Sequence, residues 1–150
     1  MSSKLTHWDY RFLDLAQHVA GWSKDPSTKV GAVITDNNMI VSIGFNGLPR
    51  GVEDTEERLN NRELKYKMIV HGEVNAMNFA ERSIRGCTLY TWPFMPCPIC
   101  AGQVIQRGIS KIITLHSDNP RWVESFKISQ EMFSESGVEL MTLNNSAQKY

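Results

Sequence analysis

The sequence predicts an α/β protein: a three-layer α/β/α sandwich around a mixed five-stranded sheet, forming one domain over 1–150. Three observations predict it. From about residue 70 onward, helical and strand patterns alternate, as they do where strands pair in parallel through helical crossovers. Earlier, "KVGAVIT" and "MIVSIGFN" flank "DNN" and read as a hairpin, which makes the sheet mixed. The 150 residues also contain no repeat, low-complexity tract or linker, a length that buries one sizeable core.

Residues 7–22 place Trp8, Phe12, Leu15, Val19 and Trp22 at steps of three and four, the spacing of an amphipathic helix. "SKDP" closes it, because Pro26 cannot extend a helix. The hairpin follows, then "NGLPRG", a loop by its glycine and proline content. Residues 52–68 are polar and charged, and suit helix or loop. "VHGEVNAMNFAERS" reads as a helix with Val74, Met77 and Ile84 on one face. "CTLYTW" is a strand, and "PCPICAGQVIQRG" a loop running into a helix that ends at Gly108. "KIITLH" is a strand, and "WVESFKISQEMFSESG" a helix carrying Trp122, Phe126 and Met132/Phe133. "VELMTL" is the last strand, and the tail "NNSAQKY" is expected to fray. The count is three or four helices and five strands.

Composition narrows the function. Lys+Arg and Asp+Glu balance at 16 each, so nothing in the charge points to a nucleic acid polymer or an anionic membrane. A local basic pocket for a small anion stays open. No run of about 18 apolar residues is present, so no membrane span is expected. The N-terminus lacks the apolar core of a signal peptide. Three cysteines make a poor disulfide framework, and a reducing, cytoplasmic setting fits them.

The chemistry resides in "HGE" at 71–73 and "PCPIC" at 96–100. His71, Cys97 and Cys100 offer one imidazole and two thiolates, three ligands of a tetrahedral zinc site. A structural site needs a fourth. Cys87 sits inside an apparent strand, and His7, His18 and His116 lie elsewhere without knuckle spacing. Three ligands leave one position for water, as in catalytic zinc sites. Both motifs open a helix, whose positive end favours thiolate. Glu73, two residues past His71, can face the open position and carry protons for hydrolytic deamination of an amidine-like ring carbon. H-x-E followed by P-C-x-x-C is the zinc-deaminase signature. Each half is weak alone; together, in this order, they are strong.

Plainer roles compete for each residue. His71 alone would be a satisfied histidine, the two cysteines a redox pair or half of a structural zinc site, and Glu73 a carboxylate drawn to a helix start. Cys87 is a small core residue, and Asn46 by default a turn residue.

Beyond these motifs, "SKDPSTKVGAVI", "SIGFNGLPRG", "KYKMIVHGEVNAM", "GCTLY", "PCPICA" and "IQRGISKII" resemble the deoxycytidylate (dCMP) deaminases of the cytidine/deoxycytidylate deaminase superfamily, over roughly 20–115. The resemblance implies a cytidine deaminase-like fold and one catalytic zinc ion per chain on His71, Cys97 and Cys100. Glu73 becomes the proton shuttle, and Asn46 with Gly47 meets the nucleotide sugar. Lys29, Arg50, Lys65 and Lys67 are the candidate phosphate cations, with Tyr66 and Trp92 beside the substrate. It further implies conversion of dCMP to dUMP and ammonia, dCTP and dTTP as effectors with Mg2+ accompanying a triphosphate, and a homo-oligomer, often a hexamer. The sequence departs from the family at "HGE" for "HAE", at the phenylalanine of "GFNG", and in "TWPFM", one residue longer than usual, which is expected to bulge beside the zinc. The rivals are a zinc deaminase of another ring (dCTP, guanine or a pterin) and a non-catalytic zinc-stabilised interaction module. Polynucleotide editing is disfavoured by the balanced charge.

Overall fold

The structure, a computed structural model, describes residues 4–144. Helix α1, His7–Ala20, opens with a capping box: Thr6 Oγ1 accepts from the Asp9 amide at 3.3 Å, and the Thr6 amide donates to Asp9 Oδ2 at 2.8 Å. Its buried face is Asp9, Phe12, Leu13, Ala16, Val19 and Ala20. That face is rotated from the expected stripe, and Trp8 and Trp22 stand 45% and 49% exposed. The reason is close approach. A Cβ on Gly31 would lie 2.0 Å from the Ala16 carbonyl oxygen, so only small residues can face the sheet there. The helix also stops at Ala20 with Gly21 as its C-cap, well before Pro26.

Strands β1 (Gly31–Asp36) and β2 (Met39–Phe45) form the expected antiparallel hairpin. Asn37 and Asn38 turn it at φ 51 and 64, a conformation that asparagine tolerates. The polar stretch 52–68 becomes two short helices, α2 (Glu56–Asn60) and α3 (Arg62–Met68), so the helices number six among the described residues. Asn61 ends one and caps the other, its side chain accepting from the Leu64 amide at 3.1 Å.

Helix α4 (Gly72–Phe79) is shorter than expected, and Ile84 lies beyond it, though 1% exposed in the same core cluster. Then follow β3 (Thr88–Trp92), α5 (Pro98–Gln106), β4 (Lys111–Leu115), α6 (Val123–Ser136) and β5 (Glu139–Leu143). Gly108 and Gly137, at φ +82 and +84, lie just past α5 and α6, where an L side chain would be strained. The tail expected to fray lies, except for Asn144, outside the described residues.

The sheet order is β2-β1-β3-β4-β5, with β1 antiparallel to both neighbours and β3, β4 and β5 parallel. Strand parity divides two cores. Leu89 joins Ala76, Met77, Val104 and Phe133 beneath α4, α5 and α6, while Tyr90 joins Phe12, Leu13 and Ala16 beneath α1. The expected three-layer mixed sheet is observed. Helix α4 begins beside the carboxyl end of β3, and α5 follows that end, where open α/β sheets place their ligand crevices.

Candidate active site

The three candidate metal ligands are arranged by two helix starts. His71 is the N-cap of α4 and Cys97 the N-cap of α5, and neither side chain makes a capping hydrogen bond. Pro98 starts α5, and one turn on, Cys100 points back to the same place. His71 Nδ1 lies 3.1 Å from Cys100 Sγ and 3.6 Å from Cys97 Sγ, and all three donor atoms fall within 4.8 Å of one another. Donors at zinc bond lengths and tetrahedral angles sit about 3.6 Å apart, so the residues fit the ion.

Electrostatics favour a cation there. A hydrogen bond from Cys100, then one from His71, lowers the Cys97 thiol to about 4, while that same bond and burial push the Cys100 thiol up. The hydrogen bond with Cys97 raises the His71 imidazole. A divalent ion bound there would supply the field that ionises both sulfurs.

Glu73, in the first turn of α4, is only 4% exposed, and burial raises its carboxyl to about 7. A group poised near neutrality can both take and return a proton. The packing that holds it is tight. A Cβ on Gly72 would lie 3.1 Å from the Val30 carbonyl oxygen, and one on Gly44 only 2.3 Å from the Ala76 amide nitrogen. So α4 lies directly on β2, with its start against the end of the 23–30 loop.

His71, Glu73 and Cys97 line a cavity of about 140 Å³ walled by Phe94, Trp122 and Phe126. Phe94 packs on both other rings, at 5.8 and 5.2 Å between centroids. Asn46 lines the cavity too, but its side chain is largely committed. It accepts from the Val30 amide at 2.8 Å and donates to the Thr28 carbonyl at 2.9 Å and Asp25 Oδ2 at 3.2 Å. One Oδ1 lone pair remains for a ligand. Lys65 also reaches the cavity, and its Nζ is bound to Asp25 Oδ1 at 2.8 Å and Ser27 Oγ at 3.1 Å, a pair buried to 4% and 5% side-chain exposure.

Other expected contacts lie elsewhere. Gly47 pairs with Val70 and, with Arg50, borders a second hollow behind Asn46, where the Arg50 guanidinium stacks 5.1 Å from the Phe79 ring. Lys29 and Lys67 are exposed and line neither space. Trp92 is on the opposite side of the sheet, packed with the α1 cluster, because it shares strand parity with Tyr90. The "TWPFM" segment contributes Phe94 instead. Thr91 Oγ1 donates to the Phe94 carbonyl at 2.8 Å, closing a tight turn over the cis Trp92–Pro93 bond.

Tyr66 lines the cavity, and its hydroxyl accepts from Nη2 of Arg121, a residue the sequence reading missed. Arg121 also lies 4.6 Å from the Trp122 ring centroid. The available signal was position: "NPRW" follows β4, on the edge where such sheets bind ligands.

Residues 6–116 match the family described as the cytidine and deoxycytidylate deaminase zinc-binding region. The chain is 47% identical over 142 residues to an uncharacterized deaminase in the luxG 3′ region of Aliivibrio fischeri, covering 93% of this chain and 95% of that one. It is 36% identical over 140 residues to the deoxycytidylate deaminase of Homo sapiens, covering 87% and 76%. In fold it is similar to the dCMP deaminase of cyanophage S-TIM5 in complex with dCMP and dUMP, with TM-score 0.75, 24% identity, and 94% and 100% coverage. The chain belongs to the zinc-binding cytidine and deoxycytidylate deaminase family.

Proposed function

We propose that this chain is a dCMP deaminase, converting dCMP and water to dUMP and ammonia. The carrying observation is a buried carboxyl beside three donors that fit zinc, with Glu73, His71 and Cys97 opening on one aromatic-walled cavity. The likeness to deoxycytidylate deaminases of 35–38% identity supports the pyrimidine monophosphate as substrate.

When bound, zinc supplies the Lewis acidity that makes water a nucleophile at neutral pH. His71, Cys97 and Cys100 would hold it. Glu73 takes a proton from the attacking water, delivers it to N3 of the ring, and carries a second to the departing amino group at C4. Phe94, Trp122 and Phe126 exclude bulk water around the ring. Asn46 offers its remaining oxygen lone pair to a sugar hydroxyl. Lys65 neutralises Asp25 and so fixes the loop carrying Ser27 and Thr28, and Tyr66 closes the rim.

The proposal extends to regulation by dCTP and dTTP, to Mg2+ with the triphosphate, and to a hexamer. The second hollow, about 360 Å³ and edged by Arg50 and by the Lys24–Asp54 ion pair at 3.0 Å, is the space we propose for an effector. Three unpaired cysteines support a cytoplasmic, reducing setting.

The test is ammonia release across dCMP, deoxycytidine, dCTP and guanine, with zinc content measured on the same samples. Expected is one zinc per chain and preference for dCMP; equal turnover of deoxycytidine, or preference for guanine, sinks the reading. Glu73→Gln keeps its zinc and loses activity by about 100- to 10,000-fold. An interaction module without catalysis predicts no loss at all.

A further inference from the structure

We infer that Arg121 is the residue that reads the 5′-phosphate and thereby selects nucleotide over nucleoside; this rests on the dCMP reading above. A monophosphate needs a cation able to reach it. Four other cations come near the relevant motifs, and each is committed or misplaced. Lys65 is buried against Asp25 and Ser27, Arg50 is on the second hollow over Phe79, and Lys29 and Lys67 line neither cavity. Arg121 is different: it is exposed, it lines the metal cavity, and its side chain has no acidic partner among the described residues.

Its position is also fixed in advance. The Tyr66 hydroxyl takes one guanidinium N–H, and the Trp122 ring supports the planar face. Of five N–H groups on the guanidinium, four remain without a hydrogen-bond partner among the described residues. A planar fork held on two sides suits two-point recognition of phosphate oxygens. Ser125, one turn into α6, lines the same rim and adds a hydroxyl donor. The cavity lining therefore combines His71, Cys97 and Glu73 with three aromatic rings and one exposed cation.

The experiment compares zinc-loaded wild type, Arg121→Ala and Arg121→Lys on dCMP and deoxycytidine, after matching zinc content and melting temperature. Charged hydrogen bonds of this kind predict that Arg121→Ala raises KM for dCMP about 10- to 100-fold while kcat moves less than about threefold. The preference for dCMP over deoxycytidine falls by the same factor. Arg121→Lys regains part of it, since lysine keeps the charge and loses the fork. Should alanine unfold the protein, Tyr66→Phe, which removes the anchoring hydroxyl, must raise KM for dCMP in the same direction. A preference that survives Arg121→Ala, a loss shared equally by both substrates, or an unmoved KM in Tyr66→Phe overturns the inference. Wild type lacking any preference for dCMP is a separate result, read first, and it defeats the parent reading.

Discussion

At the scale of single residues, two buried polar groups outside the catalytic cluster set measurable stability. The Tyr90 hydroxyl donates to Asp9 Oδ1 at 2.6 Å between β3 and α1. Burial, then that bond, raises the phenol above its ordinary value. Its folded value exceeds the unfolded value of about 10, so the contribution is intact below that pH and declines as pH rises further. Urea midpoints from pH 7 to 11 will show the decline in wild type, and Tyr90→Phe will remove that part of the slope. The variant loses about 1–2 kcal/mol at neutral pH, because Asp9 Oδ1 is left without this donor. Lys65→Met removes the cation paired with the buried Asp25 carboxylate, which keeps the Ser27 amide and Asn46 as donors, and should cost about 3 kcal/mol by denaturant unfolding. Residue identities were legible in sequence where chemistry is strict. Few residue types ligate zinc, so His71, Cys97 and Cys100 stood out, and the H-x-E spacing singled out Glu73 beside them. Trp92 was set beside the substrate by the resemblance alone; it shares strand parity with Tyr90 and packs with it beneath α1.

At the scale of elements, the site depends on how closely helices lie on strands. Gly44→Ala forces β2 and α4 apart, since its Cβ would meet the Ala76 amide nitrogen at 2.3 Å and the Gly72 carbonyl oxygen at 2.7 Å. Overpacking of this kind costs about 1–3 kcal/mol. It should also weaken zinc binding, because His71 stands at the head of the displaced helix; competition with a chromophoric chelator will measure that. Unchanged zinc affinity would mean that α4 yields at its far end alone. Strands and the later helices were readable from pattern, as alternation and turn residues are local signals. The face of α1 was not. Its rotation follows from Gly31, a residue on another element whose missing side chain admits Ala16 and Ala20.

At the scale of the whole molecule, one ion would link two helices that are separated in sequence by a strand. Removing zinc should lower stability by about 4 kcal/mol when free zinc had stood a thousandfold above its dissociation constant. Hydrogen exchange should report the loss first at the starts of α4 and α5. The layer order was legible in the chain, and so was the metal. The cavity wall was legible only in part: the "TWPFM" segment was expected beside the zinc and supplies Phe94, whereas Trp122 and Phe126 come from a distant segment that only the sheet order brings to it.

The two uncapped helix starts have an evolutionary consequence. Serine or aspartate at positions 71 and 97 would satisfy backbone amides that histidine and cysteine leave unserved, each worth about 1 kcal/mol. Selection for thermal stability in a chelating medium should therefore drift toward those residues and return sturdier, inert proteins. Under that selection, ancestry would be written in the rest of the fold while the site itself was erased.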